Sequence, residues 1–148
     1  MAPLSGITVL DLTHVLAGPY CSHVLQDLGA KIIKVERPGT GDDTRAFPPF
    51  VAGTSAYFAA LNAGKHSIAL DLKSEADRPV LEALIRSADA LIEGFRPGVM
   101  ERLSLGPQDC HALNPRLVYG RMTGWGQEGP RALQAGHDLN YVALSGAL

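Results

Sequence analysis

Residues able to transfer a proton stand directly after a glycine-rich stretch near the end of the sequence. The stretch spans residues 124–130 (GWGQEGP), and Gly136, His137 and Asp138 follow it. Glycine lets a ligand approach backbone N–H groups closely, and histidine takes up and returns protons near neutral pH. The pattern favours acid–base chemistry at His137. The alternative is that Gly136 ends a loop while His137 and Asp138 merely open a helix.

Cationic residues in an irregular loop are the second candidate for chemistry. Residues 36–54 contain three prolines, three glycines and the arginines Arg37 and Arg45. Loops at the carboxyl ends of parallel strands bind ligands, and a guanidinium has the forked geometry that suits a phosphate. Arg37 and Arg45 are therefore either phosphate-binding groups or solvated surface charges.

Composition excludes several classes of function. The 148 residues are 46% apolar and 19% charged, with a net charge of −2 and no basic block, so nucleic acid is not favoured as a partner. Cys21 and Cys110 have no metal-type spacing, so no metal site is predicted and a reducing compartment is favoured. The sequence shows neither a signal peptide nor an apolar run long enough for a membrane span. We expect a soluble, cytoplasmic protein.

The elements that must position these residues form an α/β pattern. Strands are predicted to begin near residues 7, 31, 66, 89 and 117, and helices alternate with them. This alternation predicts one Rossmann-like parallel sheet with flanking helices over residues 1–148. The first helix, Pro19–Leu28, carries apolar residues at Tyr20, Val24, Leu25 and Leu28, a stripe predicted to be its buried face.

Two helix starts are predicted from capping residues. Thr54 is expected to cap a helix that runs to about Leu61, and Ser74 one that runs to about Ser87. The last helix is predicted from Asp138 to Leu148, with no terminating signal. An α/β domain rarely stops within such a unit, so we expect the chain to be the leading, incomplete part of a larger domain.

A dinucleotide site is not predicted. The first strand is followed by Ala17-Gly18-Pro19 and not by the G-x-G-x-x-G pattern of NAD-binding proteins. Glu36 does stand at the end of the second strand, where an acid that binds ribose would lie, but one carboxylate is weak evidence. NAD is therefore not expected as a cofactor.

Several ordered motifs resemble one enzyme family across essentially the whole chain. They are similar to the N-terminal part of the family III CoA-transferases, the CaiB/BaiF group, whose superfamily includes the α-methylacyl-CoA racemases. The motifs, in chain order, are residues 37–39 (RPG), Asn62 with 65–73 (KHSIALDLK), 89–98 (DALIEGFRPG), 114–119 (NPRLVY) and 124–130 (GWGQEGP).

The resemblance implies a CoA-binding α/β domain and a set of site residues. Arg37, Lys73 and Arg96 match CoA-contacting motifs of the family, although Lys73 also flanks the predicted Ser74 cap. Gly136, Asp138 and Tyr141 lie in the motif that surrounds the racemase histidine, which implies a substrate pocket there. The expected ligand is coenzyme A as an acyl-CoA thioester. Family members form interlocked dimers, so a homodimer, or a partner chain that completes the domain, is expected.

Within the superfamily the motifs divide between two reactions. Residues 135–141 (AGHDLNY) closely resemble the racemase motif, in which the histidine is one of two acid–base groups. Residues 53–62 are instead similar to the transferases. We give His137 more weight as evidence than residues 53–62, and therefore favour an α-methylacyl-CoA racemase over a CoA-transferase. Both reactions need an aspartate that the resemblance places beyond Leu148, so a third possibility is a non-catalytic fragment or half of a split protein.

Overall fold

A computed structural model describes residues 1–147 and shows a parallel α/β architecture. The strands are β1 (Thr8–Asp11), β2 (Lys31–Glu36), β3 (Phe50–Val51), β4 (Thr54–Ser55), β5 (His66–Ala69), β6 (Ala90–Glu93) and β7 (Val118–Arg121). The helices are α1 (Ala17–Asp27), α2 (Ala56–Asn62), α3 (Arg78–Ser87), α4 (Val99–Arg102), α5 (Pro107–Leu113) and α6 (Asp138–Ser145). The predicted Rossmann-like fold is confirmed. None of the helices within residues 1–147 is long and apolar enough to cross a membrane.

The sheet reverses its strand order next to its first strand. Its order is β5-β2-β1-β6-β7, and every neighbouring pair is parallel. Helical crossovers on both faces enforce this direction, because a short hairpin cannot join parallel strands. Strand order changes direction between β1 and β6, and ligands of open α/β sheets bind outside the carboxyl ends of the strands at such a switch point.

Two apolar layers cover the two faces of the sheet. Leu10 and Leu91 belong to the larger layer with α3, α4 and α5, whereas Val9 and Ile92 belong to the smaller layer beside α1. Successive residues of a strand point to opposite faces, so a continuous apolar run such as Val9-Leu10 fills both layers. The larger layer also contains Cys110, whose thiol pKa is raised by burial to about 11. That thiol is therefore protonated and unreactive.

The apolar stripe of the first helix is buried only in part. Tyr20 and Val24 of α1 are 57% and 39% exposed, while Gly18 and Ser22 are buried against the sheet. A Cβ on Gly18 would lie 2.2 Å from the Cβ of Thr13, so only glycine allows this approach. Small residues face inward at the start of α1, where the helix lies close to the polar end of β1, whereas Leu25 further along packs against the smaller apolar layer.

Three predicted boundaries are also corrected. Ser55, not Thr54, caps α2, since its Oγ accepts a hydrogen bond from Phe58 N at 3.2 Å. Helix α3 begins at Arg78, because Ser74 closes a turn before it by accepting from Asp77 N at 3.3 Å.

Helix α6 is shorter than predicted. It ends at Ser145, where Gly146 takes the left-handed conformation (φ 77°) that terminates helices, so the sequence does contain a stop signal. The last residue of the predicted helix, Leu148, lies outside the described residues.

Candidate functional site

A cavity of about 430 Å³ lies at the switch point, outside the carboxyl ends of β1, β2 and β6. We call it the switch-point cavity. It brings Arg37 and Lys73 together, although they stand far apart in the chain. Its apolar walls are Leu12, Val35, Leu70, Leu72, Phe95, Val99 and Leu103. An apolar cavity with a few convergent charges is the usual form of a site for a small anionic ligand.

The two cations of this cavity are differently engaged. Arg37 forms an ion pair with Asp43, and both side chains are more than half exposed. Such a pair contributes little to stability, so Arg37 can exchange its partner for a ligand. Lys73 is exposed, and its backbone N–H donates to Asp71 Oδ1 at 2.9 Å, which fixes the turn from which its side chain extends.

Arg45 is 42% exposed, but its guanidinium is engaged by a buried carboxylate of the protein. Its Nε and Nη2 donate to the two carboxylate oxygens of Glu36 at 2.7 Å each, and its guanidinium lies 3.8 Å from the ring centre of Phe58. Burial raises the pKa of Glu36, but hydrogen bonds from Arg45, Ser67 and Asp42 outweigh it and lower the pKa to about 2. Glu36 is thus fully engaged within the protein and is not free to bind a ribose.

His14 forms a wall between the switch-point cavity and a neighbouring one. Its Nδ1 is buried 3.8 Å from Asp42 Oδ2, and its ring lies edge-on to Phe95 at 6.2 Å. Burial lowers the pKa of His14; Asp42 opposes this effect and Lys34 adds to it. The imidazole is therefore neutral at neutral pH. The next residue, Val15, has φ 69°, a strained value for a β-branched side chain, and its N–H donates to Asp42 Oδ1.

A second cavity, of about 260 Å³, contains His137. We call it the loop cavity, because the glycine-rich loop of residues 124–130 contributes to its wall through Gly124 and Trp125. Gly136 and Tyr141 also line it, whereas the exposed Asp138 is not among its walls. Arg96 lines this cavity and not the switch-point cavity, so the structure separates it from Arg37 and Lys73.

The two cavities are neighbours, and together with a third they form a row of adjacent cavities that we call the groove. Phe95 lines both the switch-point and the loop cavity. A third, bridging cavity of about 240 Å³ has His14 in common with the first and Tyr141 in common with the second. Arg37 and Lys73 thus line the cavity at one end of this row, and His137 lines the cavity at the other end.

His137 stands at the start of α6 with its side chain uncommitted. Its backbone N–H donates to Asn140 Oδ1 and its C=O accepts from Asn140 N, each at 2.9 Å, while the exposed imidazole makes no capping bond. Asp138 opens the helix as an acid that favours the positive end of its dipole. Among the described residues, the N–H groups of Asp138 and Leu139 have no acceptor, so they are available to an anionic group.

Sequence reasoning missed the charged interior that holds this end of the sheet. Lys65 Nζ is buried 3.4 Å from Asp11 Oδ2, and Lys34 Nζ is buried 2.9 Å from Asp42 Oδ2. The available signal was a charged residue at the end of an apolar strand, as with Asp11 after Val9-Leu10. Among residues 1–147, no group of three or more His, Cys, Asp or Glu side chains is placed to hold a metal ion.

Comparison with known proteins settles the family. Residues 4–148 match the sequence family described as CoA-transferase family III. The chain belongs to this family. Because the match spans nearly the whole chain, the CoA-transferase resemblance of the sequence motifs is confirmed.

Family III relatives of two named activities resemble the chain. It is 48% identical over 146 residues to an acetyl-CoA:oxalate CoA-transferase from Acetobacter aceti, covering 99% of the chain and 38% of the relative. It is 43% identical over 145 residues to the α-methylacyl-CoA racemase of Homo sapiens, covering 98% and 34%. The crystal structure of a CaiB/BaiF family protein from Brucella suis matches with a TM-score of 0.91 and 41% identity, covering 98% and 39%. The chain thus spans little more than a third of these relatives.

Proposed function

We propose that this chain provides the CoA-binding groove and one acid–base residue of an α-methylacyl-CoA racemase. The observation that supports the proposal is the position of His137, which lines the loop cavity at one end of a groove whose other end carries Arg37 and Lys73. The groove has the form that a CoA thioester requires: cations for phosphates, then apolar walls, then a reactive group.

The residues of the switch-point cavity fit the nucleotide end of CoA. Arg37 and Lys73 supply charge for phosphates, and apolar side chains such as Leu72 and Phe95 supply a surface for the base. Arg96 lies on the loop-cavity side of Phe95, so it would face the thioester end of the ligand. The three predicted cations thus divide between the two ends of one ligand.

In the proposed reaction His137 removes the proton from the carbon next to the thioester carbonyl. The C–H electron pair moves into the C–C bond and the carbonyl π electrons onto oxygen, which gives an enolate. Arg96, which lines the same cavity, carries a positive charge able to stabilise that oxygen. A second acid–base group, the aspartate implied by the family resemblance, returns a proton to the opposite face. Neither CoA nor the enzyme gains or loses electrons.

A CoA-transferase is the second candidate, favoured by the named activity of the 48% identical relative. In that reaction the aspartate is a nucleophile that forms a mixed anhydride and then an enzyme-bound thioester, and His137 is a neighbour of the acyl group. The third candidate, a non-catalytic fragment, retains the groove without a reaction. All three predict a CoA ligand.

Isotope exchange distinguishes these candidates. A polypeptide that carries this chain together with the region that follows it in its relatives is incubated with a 2-methylacyl-CoA in heavy water. A racemase incorporates deuterium at the α-carbon without any acceptor acid. Transfer of CoA to a second acid with no α-exchange supports the transferase, and the absence of both reactions supports the non-catalytic alternative.

Calorimetry tests the groove independently of turnover. Losing one charge-assisted phosphate contact costs about 1.5–3 kcal/mol, so Arg37→Ala and Lys73→Ala should each weaken CoA binding roughly ten- to a hundredfold. Arg86→Ala is the matched control, since Arg86 is an exposed arginine of α3 that pairs with Glu82 away from the groove. Unchanged affinity in both groove variants would overturn the assignment of the nucleotide end.

A further inference from the structure

Arg121 connects the ends of β6 and β7 with the glycine-rich loop and with α4. It ends β7 directly opposite Glu93, the last residue of β6. Its Nε lies 3.6 Å from Glu93 Oε1, and its Nη1 donates to Gln127 Oε1 at 2.7 Å. Its Nη2 pairs with Glu101 of α4. The side chain is only 20% exposed, so these partners surround most of the guanidinium.

One branch of these contacts leads to the wall that holds His137. Gln127 belongs to the glycine-rich loop of residues 124–130, in which Gly126 and Gly129 have φ of 82° and 99°. Such a segment has little conformational preference of its own and needs an external anchor to hold one position. Trp125 of the same loop lies directly against Gly136, since a Cβ on Gly136 would approach its ring to 2.8 Å. The residue after Gly136 is His137.

The other branch leads to the wall shared by the two larger cavities of the groove. Glu93 is buried, and its Oε2 accepts a hydrogen bond from Phe95 N at 2.8 Å. Burial raises the pKa of Glu93, whereas the Phe95 N–H and the Arg121 charge oppose that effect. Arg121 is thus the nearest cation to a carboxylate that holds Phe95 in place.

We propose that Arg121 is a positioning residue that sets the loop of residues 124–130 against the sheet and thereby places Trp125 and His137. A guanidinium is required because its planar fork presents Nε to Glu93 and Nη1 to Gln127 at the same time. A lysine presents a single ammonium in place of this fork. The role of His137 as the residue that is positioned rests on the proposed function, whereas the placement of the loop does not.

Trp125 makes the loop directly observable, because it is the one tryptophan of the sequence. In the full chain, Gln127→Ala removes the loop branch and leaves the Glu93–Arg121 pair intact. We expect its folded-state emission to shift to longer wavelength and acrylamide to quench it more strongly, because the indole loses its packing. Gln127→Glu keeps an oxygen for Arg121 and should restore both signals.

The control separates positioning from general stability. Glu101→Gln weakens the partner of Arg121 that is 46% exposed and does not touch the loop, so emission and quenching should stay as in the unmodified chain. Arg121→Lys should resemble Gln127→Ala. If Gln127→Ala and Arg121→Lys lower the melting temperature but leave folded-state emission and quenching unchanged, Arg121 is merely structural and the inference is overturned.

Ligand measurements keep this outcome distinct from that of the proposed function. Gln127→Ala should leave the CoA dissociation constant unchanged while slowing α-hydrogen exchange in the complete enzyme, with Gln127→Glu restoring the rate. If the unmodified chain binds no CoA, the proposed function fails, yet the tryptophan signals still decide whether Arg121 positions the loop. Weakened CoA binding in Gln127→Ala would contradict an effect confined to the loop cavity.

Discussion

Gly124 and Tyr141 are in direct contact across the loop cavity. A Cβ on Gly124 would lie 2.0 Å from the hydroxyl oxygen of Tyr141, which donates to the carbonyl of Gly136 at 2.8 Å. The Tyr141 ring also lies edge-on to Trp125, with 4.7 Å between centroids. Two glycines thus enclose an aromatic pair: Gly124 lies against the tyrosine and Gly136 against the tryptophan. This packing joins the loop to α6 and fixes the shape of the cavity beside His137.

The first prediction is that Gly124→Ala destabilises the chain. The new methyl group forces the Tyr141 ring away and breaks its hydrogen bond to Gly136, and such overpacking costs about 1–3 kcal/mol. The free energy of unfolding in urea, followed by Trp125 fluorescence, measures the loss. Gly94→Ala is the matched control from the same cavity wall, because its Cβ would meet only ordinary contacts at 3.7 Å or more.

A double variant tests whether Tyr141 is the cause. In the Tyr141→Ala background, Gly124→Ala should lower the free energy of unfolding much less than it does in the unmodified chain, because the methyl group then has space. If Gly124→Ala lowers the free energy of unfolding by the same amount with and without Tyr141, the glycine is required for some other reason.

The fold could be predicted from the sequence because the patterns that indicate its strands and helices are local. Apolar runs such as Val9-Leu10 and Leu91-Ile92 are short, β-rich and separated by helical segments, which is typical of buried parallel strands. The hairpin of β3 and β4 was not predicted, since its strands have two residues each and show no periodicity. The buried face of α1 was predicted only in part, because the polar interior beneath its first turns forms only when Lys65 reaches Asp11 in the folded chain.

The candidate site could be predicted only in part, because its contacts also form only in the folded chain. Arg37 and Arg45 are indistinguishable in the sequence, yet one borders the groove and the other is bound to Glu36. Glu93 and Arg121 were overlooked as a pair. Opposite charges at the ends of two predicted neighbouring strands were the signal that would have revealed it.

The second prediction concerns the buried pair of Asp11 and Lys65. Lys65 Nζ also donates to Pro19 O, Ser22 Oγ and Asn62 Oδ1, at 2.8, 2.8 and 2.9 Å. It therefore joins α1 and α2 to the end of β1. Lys65→Met leaves Asp11 buried without its cation, a change that costs about 3–5 kcal/mol. Urea unfolding of the variant should show that loss.

Neutralising the carboxylate should recover part of the stability. The double variant Asp11→Asn with Lys65→Met no longer buries an uncompensated charge, so it should be more stable than Lys65→Met alone. A double variant that is less stable than Lys65→Met would show that Asp11 contributes through its hydrogen bonds to Thr13 and Ser22 and not through its charge.

The third prediction is a loss of stability in acid. For both Asp42 and Glu36 burial raises the pKa, but hydrogen bonds outweigh it and lower the pKa to about 2, from ordinary values of 3.8 and 4.5. The folded protein then binds fewer protons than the unfolded chain. The stabilisation from these two carboxylates is complete above pH 4.5 and is lost as the pH falls toward 2. Each carboxylate contributes about 1.4 kcal/mol for every unit by which its pKa in the folded protein lies below its ordinary value.

Urea unfolding at several pH values between 6 and 2 measures this slope. Asp42→Asn should be less stable at pH 6, because Lys34 loses its partner, but its stability should fall less steeply below pH 4. Glu75→Gln changes an exposed carboxyl and should leave the slope as it is. A steep slope that persists in Asp42→Asn would assign the acid sensitivity to other carboxyls.

The last prediction is that His137 can be replaced without unfolding α6 but not without losing the reaction. Its imidazole makes no capping bond, and Asn140 bonds only the backbone of His137. His137→Ala should therefore unfold like the unmodified chain and keep its CoA affinity, because Arg37 and Lys73 lie in the other cavity. In the complete enzyme, α-hydrogen exchange should fall about 10²–10⁴-fold, the usual contribution of general acid–base catalysis.

Two further variants make the result specific to the imidazole. His137→Gln retains a polar side chain that cannot take up a proton near neutral pH, so it should be as inactive as His137→Ala. His23→Ala removes a histidine of α1 that lies outside the cavities of the groove, and its exchange rate should be unchanged. The decisive comparison is between exchange and transfer. If His137→Ala abolishes exchange while the enzyme needs no acceptor acid, the histidine acts on the α-carbon. If CoA transfer to a second acid continues at the same rate in His137→Ala, the histidine is a bystander and the aspartate carries the chemistry.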